Sequence, residues 1–202
     1  MHADGRLRFN GAVYMMNWDD LQLTRFDRAN FGSFIGLTAN TSGAKVKGIE
    51  GQLQWLITDA WNMTFAASYN EAELDGDFFV GTTDPDPVAP DGTDLPFTPN
   101  LKYTISTRYD FSMGDHDSYW RAAWNWTDKS WNGLFVDDRV SQDSYGILNA
   151  GIGTKVGGGS MELFVDNLTD ENAELTRYNR AGDTRVTANR PMTIGLRYWQ
   201  RF

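Results

Sequence analysis

Apolar and polar side chains alternate with a period of two along most of this 202-residue chain, as in strands whose two faces meet different surroundings. In "LKYTISTRYDF", Leu101, Tyr103, Ile105, Thr107, Tyr109 and Phe111 share one side, and Lys102, Thr104, Ser106, Arg108 and Asp110 the other. "YWRAAWNWT" sets Trp120, Ala122, Trp124 and Trp126 against Arg121, Ala123, Asn125 and Thr127. "NMTFAASYN", "RLRFNGAVYM", "GIEGQLQWLI" and the weaker "YGILNAGIGTKV" repeat the pattern, as does "SMELFVDNL", where Phe164 interrupts the polar face. With the closing "TIGLRYWQRF", these make eight predicted strands in an all-β chain with no helix.

The connections add a second regularity. Those at 58–60, 113–117 and 157–159 are short, and longer polar stretches near 17–35, 75–98, 128–144 and 170–189 alternate with them. Five of the six prolines fall between residues 75 and 99, in the second of these stretches. In an up-and-down antiparallel sheet, this order gathers the tight turns at one end and the long loops at the other, the asymmetry of outer-membrane barrels. Segments of about ten residues suit a tilted bilayer crossing and exceed the roughly 5–6 of an ordinary soluble strand. Trp55, Tyr69, Tyr109, Trp126 and Tyr198 sit toward strand ends, where interfacial girdles lie. A soluble β-sandwich or lipocalin-like barrel alternates too, but strand length and aromatic placement favour a transmembrane β-barrel.

Composition leaves the solvent open: 41% hydrophobic, 14% aromatic and 22% charged residues suit either case, because only one face of a membrane strand is apolar. The net charge of -9 argues against nucleic-acid partners, which need a basic footprint. The absence of cysteine excludes disulfides and thiolate metal sites. No apolar run approaches the roughly 18 residues of a membrane helix, and "MHADGRLRFN" lacks a signal-peptide core. The expectation is either a protein that is not exported or a chain without its natural beginning.

Several segments in order resemble the C-terminal barrel region of TonB-dependent outer-membrane receptors. They are "DGRLRFNGAVYMMNWDDLQL", the hairpin around Gly48-Ile49-Glu50, "LPFTPNLKYTISTRYDF", the Asn-Leu-x-Asp segment in "LFVDNLTDEN", and "NRPMTIGLRYWQRF". The resemblance implies that residues 1–202 are the last eight or so strands of a barrel of about 22 strands closed around an N-terminal plug. It implies an outer-membrane location in a Gram-negative bacterium and uptake of a scarce nutrient such as a siderophore, cobalamin or saccharide. Its implied partners are the outer-membrane bilayer, the missing plug and N-terminal strands, and an energy-coupling complex acting through the plug. In the family, ligand is held by plug apex, external loops and upper barrel wall. A chain cut from such a barrel carries two bare edges and is expected to mispair, aggregate or close imperfectly. The alternatives are a complete eight-stranded outer-membrane protein and a soluble aromatic-rich carbohydrate-binding module.

No catalytic constellation stands out, and the chain is read as a non-enzyme without cofactor or metal. Glu71 and Glu73 share a face, as a glycosidase pair would, but charges at a strand margin are ordinarily solvated. His2 and His116 are isolated. Asp84, Asp86, Asp91 and Asp94 offer oxygen ligands of the kind Ca²⁺ takes, against the simpler reading of a solvated loop. The glycines at 157–159 make a hairpin turn. Polar residues facing the lumen are better candidates, among them Glu50, Lys102, Arg108, Arg121 and Arg197. Loop aromatics Phe78, Phe79, Trp131 and Phe135 either contact ligand or pack within their loops. At the terminus, Gly195, Tyr198 and Phe202 resemble the signal read by the barrel-assembly machinery, with Gln200 departing from it; Phe202 alternatively serves as a girdle aromatic.

Overall fold

A computed structural model describes residues 5–27, 35–40, 43–79, 85–180 and 183–200. The strands are β1 (Leu7–Asp19), β2 (Gln22–Asp27), β3 (Ile35–Asn40), β4 (Gly43–Leu56), β5 (Trp61–Leu74), β6 (Leu101–Met113) and β7 (His116–Thr127). There follow β8 (Ser130–Trp131), β9 (Ser141–Gln142), β10 (Tyr145–Val156), β11 (Gly159–Asp166), β12 (Glu174–Arg180), β13 (Asp183–Ala188) and β14 (Thr193–Gln200). Eight form one antiparallel sheet in the order β1-β4-β5-β6-β7-β10-β11-β14. All eight predicted strands are present, several longer than their alternation suggested. The pairs β2–β3, β8–β9 and β12–β13 are separate ribbons inside connections that read as polar loops. Among the described residues no strand pairs with the outer edge of β1 or of β14, so the sheet is open.

Register converts the alternation into two faces. Val13, Ile49, Tyr69 and Leu101 stand in one cross-strand row, and Asn10, Gln52, Ala66, Thr104 and Asn125 in a row of the opposite face. The apolar face is uncovered across the sheet, with Phe9, Val13, Ile49, Leu163, Ile194 and Leu196 all exposed. Soluble monomers rarely present so continuous an apolar surface. Its rings touch one another: Phe65 and Tyr103 centroids are 6.5 Å apart, Tyr103 and Trp126 6.2 Å, and Tyr109 and Trp120 6.2 Å.

Toward the long connections the two faces exchange character. Lys45, Lys47, Glu71 and Glu73 follow Ile49 and Tyr69 on the apolar-face phase, while Ala44, Val46, Ala72 and Leu74 continue the other. The charges pair across strands, Lys47 with Glu71 at 2.7 Å and Lys45 with Asp75 at 2.5 Å. Leu74 packs with Phe78, Ala89 and Leu134 in a small core, flanked by Leu21, Val88, Leu95 and Phe135. This is the pattern of a soluble sheet, polar outside and apolar within.

Backbone bonds lace the connections into one cap. Leu95 N–H donates to Ala72 O at 2.8 Å, Phe97 N–H to Trp131 O at 2.8 Å and Val136 N–H to Val88 O at 3.1 Å. The β12–β13 ribbon joins through Asn132 Nδ2, which donates to Arg177 O, and Gln142 Nε2, which donates to Glu174 O, both at 3.2 Å. Its neck is organised by Asn167, 3% exposed and left-handed at φ 54°. Asn167 Nδ2 donates to Glu171 O and Arg190 O, and its Oδ1 accepts from Glu171 N–H. Asn is among the few residues that tolerate this φ.

Asn167→Ala removes those bonds and leaves a side chain poorly suited to the backbone. A loss of about 2–4 kcal/mol is expected in urea titration of the detergent-solubilised chain, with Asn167→Gly milder than Ala because glycine accepts the left-handed φ. Within the cap, Arg177 hydrogen-bonds Glu174 and holds its carboxyl below the ordinary carboxylate range. A lowered folded-state pKa contributes stability above the unfolded value of about 4.3 and loses it as pH falls through the lowered one. Protection factors of the β12–β13 amides, taken relative to intrinsic exchange at each pH, should therefore fall on acidification through that window, and Arg177→Gln should abolish that fall.

Candidate functional site

The polar face divides into two zones. Toward the middle of the sheet lies a hollow of about 630 Å³ lined by Asn10, Glu50, Gln52, Lys102, Thr104 and Asn125. Small residues Ala12, Ala66 and Ser68 make room for it. Thr104 Oγ1 donates to Asn125 Oδ1 at 3.0 Å. Glu50 and Lys102 share one row with Ser68 between them, about 10 Å apart at ordinary strand spacing. The hollow offers amides, hydroxyls and one charge of each sign, and no nucleophile held by a base.

Nearer the tight turns, the polar face is ionic. Arg108 and Arg121 are directly opposite in register, an arrangement unfavourable for like charges. Each is drawn to a carboxylate. Arg108 donates through Nε and Nη2 to Asp110 Oδ1 at 2.9 and 2.7 Å, with its guanidinium 3.6 Å over the Tyr119 ring. Arg121 donates through Nε to Glu162 Oε1 at 2.6 Å, and Arg197 reaches Glu162 Oε2 from β14 at 3.3 Å. Glu162 is only 3% exposed. Its carboxylate crosses β10 at Gly151, where a Cβ would stand 2.4 Å from Oε1.

Of the five lumen-facing candidates, Glu50 and Lys102 thus belong to the hollow and Arg108, Arg121 and Arg197 to the ionic zone. Glu162, which joins two of them, was not singled out from the sequence; the nearest signal is Gly151, a glycine inside a strand that marks a close approach.

The other candidates separate cleanly. Glu71 is ion-paired with Lys47, and Glu73 lies opposite Lys45. His116 stands opposite Met113 at a hairpin end. Asp91 accepts from Gly76 N–H, and its own N–H donates to Asp77. Among the described residues no group of three His, Cys, Asp or Glu could hold a metal. His2, Asp84 and Phe202 lie outside the described residues. Phe78 is buried and stacks on Phe135 at 6.2 Å, and Trp131 lies 4.2 Å beneath Arg139, so these three pack within the cap. Phe79 is 41% exposed.

Open antiparallel wall, uncovered apolar face, polar opposite face and turns sorted by length define a portion of a transmembrane β-barrel. Residues 2–168 match the family described as TonB dependent receptor-like, beta-barrel. Among solved structures, the ferric yersiniabactin uptake receptor FyuA from Yersinia pestis aligns with TM-score 0.76 and 17% identity, over 97% of this chain and 28% of that one. The siderophore receptor PiuA from Acinetobacter baumannii aligns with TM-score 0.73 and 19% identity, over 97% and 26%. The ferric-catecholate import receptor Fiu from K12 E. coli aligns with TM-score 0.69 and 20% identity, over 98% and 25%. The chain spans about a quarter of the length of these receptors. Among curated proteins there is no sequence match. The chain belongs to the TonB-dependent receptor-like β-barrel family.

Glu162→Ala leaves Arg121 and Arg197 facing one another without a counter-charge. Breaking a fully buried pair costs about 3–5 kcal/mol. Arg197 is half exposed here and water compensates part of the loss, so a decrease of about 1–3 kcal/mol is expected in urea titration.

Proposed function

We propose that residues 1–202 form the C-terminal part of the barrel of an outer-membrane receptor that imports a scarce nutrient, of the class of a siderophore, cobalamin or saccharide. The observation that carries this reading is the uncovered apolar face backed by a polar one, on strands of a family of receptors. Lipid satisfies the first face, and water, plug or solute meets the second. The bare edges of β1 and β14 are compatible with further strands completing a larger wall, since an unpaired edge in hydrocarbon leaves backbone groups without partners. A self-closed eight-stranded barrel would pair those two edges with each other. The FyuA, PiuA and Fiu likenesses favour a metal-chelate cargo within the nutrient class.

In this reading the cap of long connections faces the cell exterior, and the turns at Gly114 and Gly157 face the periplasm. The hollow around Glu50 and Lys102 and the ionic zone around Glu162 then line the lumen. Energy coupling and the plug belong to parts of the receptor beyond this wall, and assembly machinery delivers it to the membrane.

Placement is tested by membrane fractionation and cysteine labelling of intact cells. A cysteine at Asp137 in the cap should react with an impermeant maleimide, and one at Asp115 in a tight turn should react only after the membrane is opened. Labelling of Asp115→Cys from outside, or recovery of the protein in soluble fractions, would overturn the reading.

A further inference from the structure

We propose that the register of the terminal strand is set by two reciprocal ring-on-glycine seats and one ion pair. On the polar face, Phe164 of β11 lies directly opposite Gly195 of β14. A Cβ at Gly195 would stand 2.5 Å from Phe164 Cζ and 2.8 Å from its Cε1. The same ring lies under Arg197, whose guanidinium carbon is 4.6 Å from the centroid. On the apolar face the arrangement is returned: Tyr198 of β14 leans over Gly159 of β11, where a Cβ would stand 2.5 Å from the hydroxyl and 2.8 Å from the Trp199 carbonyl oxygen. Each strand supplies one ring and one glycine.

These features discriminate between registers that patterning alone cannot. A slip of one residue turns Ile194 and Leu196 onto the polar face and is rejected by the environment. A slip of two keeps every residue on its own face, so the environment does not oppose it. It would place Phe164 opposite Arg197 or Thr193 instead of glycine, and Glu162 opposite Trp199 or Gly195 instead of Arg197. In one direction Tyr198 would lean on Met161; in the other it would be carried past Gly159 toward the turn. Only the native register fills both seats and sets Glu162 opposite Arg197. The remaining tie reaches β7 through Arg121, so a correctly registered β14 is anchored across four strands.

The inference concerns the β11–β14 pairing and does not depend on what the receptor imports. Its test is disulfide trapping of the full chain in detergent micelles. Leu163→Cys with Leu196→Cys reports the native register; Leu163→Cys with Ile194→Cys, and Val165→Cys with Leu196→Cys, report the two slips. In the parent sequence the native crosslink should exceed either slipped one by about tenfold, since a disulfide needs Cβ atoms about 4 Å apart. Gly195→Val fills the seat, and Phe164→Ala empties it without a clash; each should lower that ratio about fivefold or more. The double variant Phe164→Ala/Gly195→Val should recover part of what Gly195→Val loses, and Ser160→Ala, which touches neither seat, should leave the ratio unchanged. The proposal is overturned if Phe164→Ala keeps the parent ratio, even where Gly195→Val abolishes every crosslink. It is equally overturned if a slipped crosslink forms as readily as the native one in the parent chain.

Discussion

Lateral pairing of backbone groups is the constraint on which everything else in this chain depends. An ordinary domain of this length is held by a broad hydrophobic core, but among the described residues the buried apolar cluster is the small one of Leu74, Phe78, Ala89 and Leu134 beneath the cap. The wall itself is one sheet thick, and its apolar side chains point away from the protein. What orders it is the ladder of antiparallel hydrogen bonds from β1 to β14, in surroundings where an unpaired N–H or C=O has no water to turn to. Register therefore takes the place that packing holds elsewhere. Glycines that admit rings, and arginines that cross strands, are how the side chains contribute to it.

That constraint also explains the ionic zone. Charges on the polar face cannot be buried in a core, yet Arg108 and Arg121 are forced into adjacency by a register fixed by the backbone. The sequence accommodates them with Asp110 on one side and Glu162 on the other, and with the faces of Tyr119 and Phe164 beneath Arg108 and Arg197. The hollow around Gln52 and Asn125 follows a different rule, with small uncharged residues at its floor and amides and hydroxyls around them.

The wall was legible because side-chain parity along a strand is a local property. Lys102 and Arg108 could be assigned to one face from a dozen residues, and their neighbours across the sheet agree. Glu162 was not legible as the partner of Arg121 and Arg197, because they lie 41 and 35 residues away and only the register joins them. Phe164 looked like a fault in the alternation until its glycine, on another strand, came into view. The ribbons β2–β3, β8–β9 and β12–β13 were missed for a related reason: their strands are short and carry no sustained apolar-polar rhythm. Asn167 was recognisable within a motif, but its work of tying together the neck of the last long connection needed the fold.

The exchange of face character beyond Ile49 and Tyr69 has a consequence for how such a chain varies over time. Below that level, a lipid-facing site tolerates exchange among apolar side chains and rejects charge, since only its neighbours in the sheet touch it. Above it, the same column of the same strand accepts charge freely, and the stringent positions pass to the inward side, where Ala44, Ala72 and Leu74 have no spare volume. A single strand thus carries two substitution grammars joined end to end. A drift among apolar residues that is silent at Val13 would be disruptive at Leu74, and the height of the membrane surface is written in the residue where tolerance changes sides.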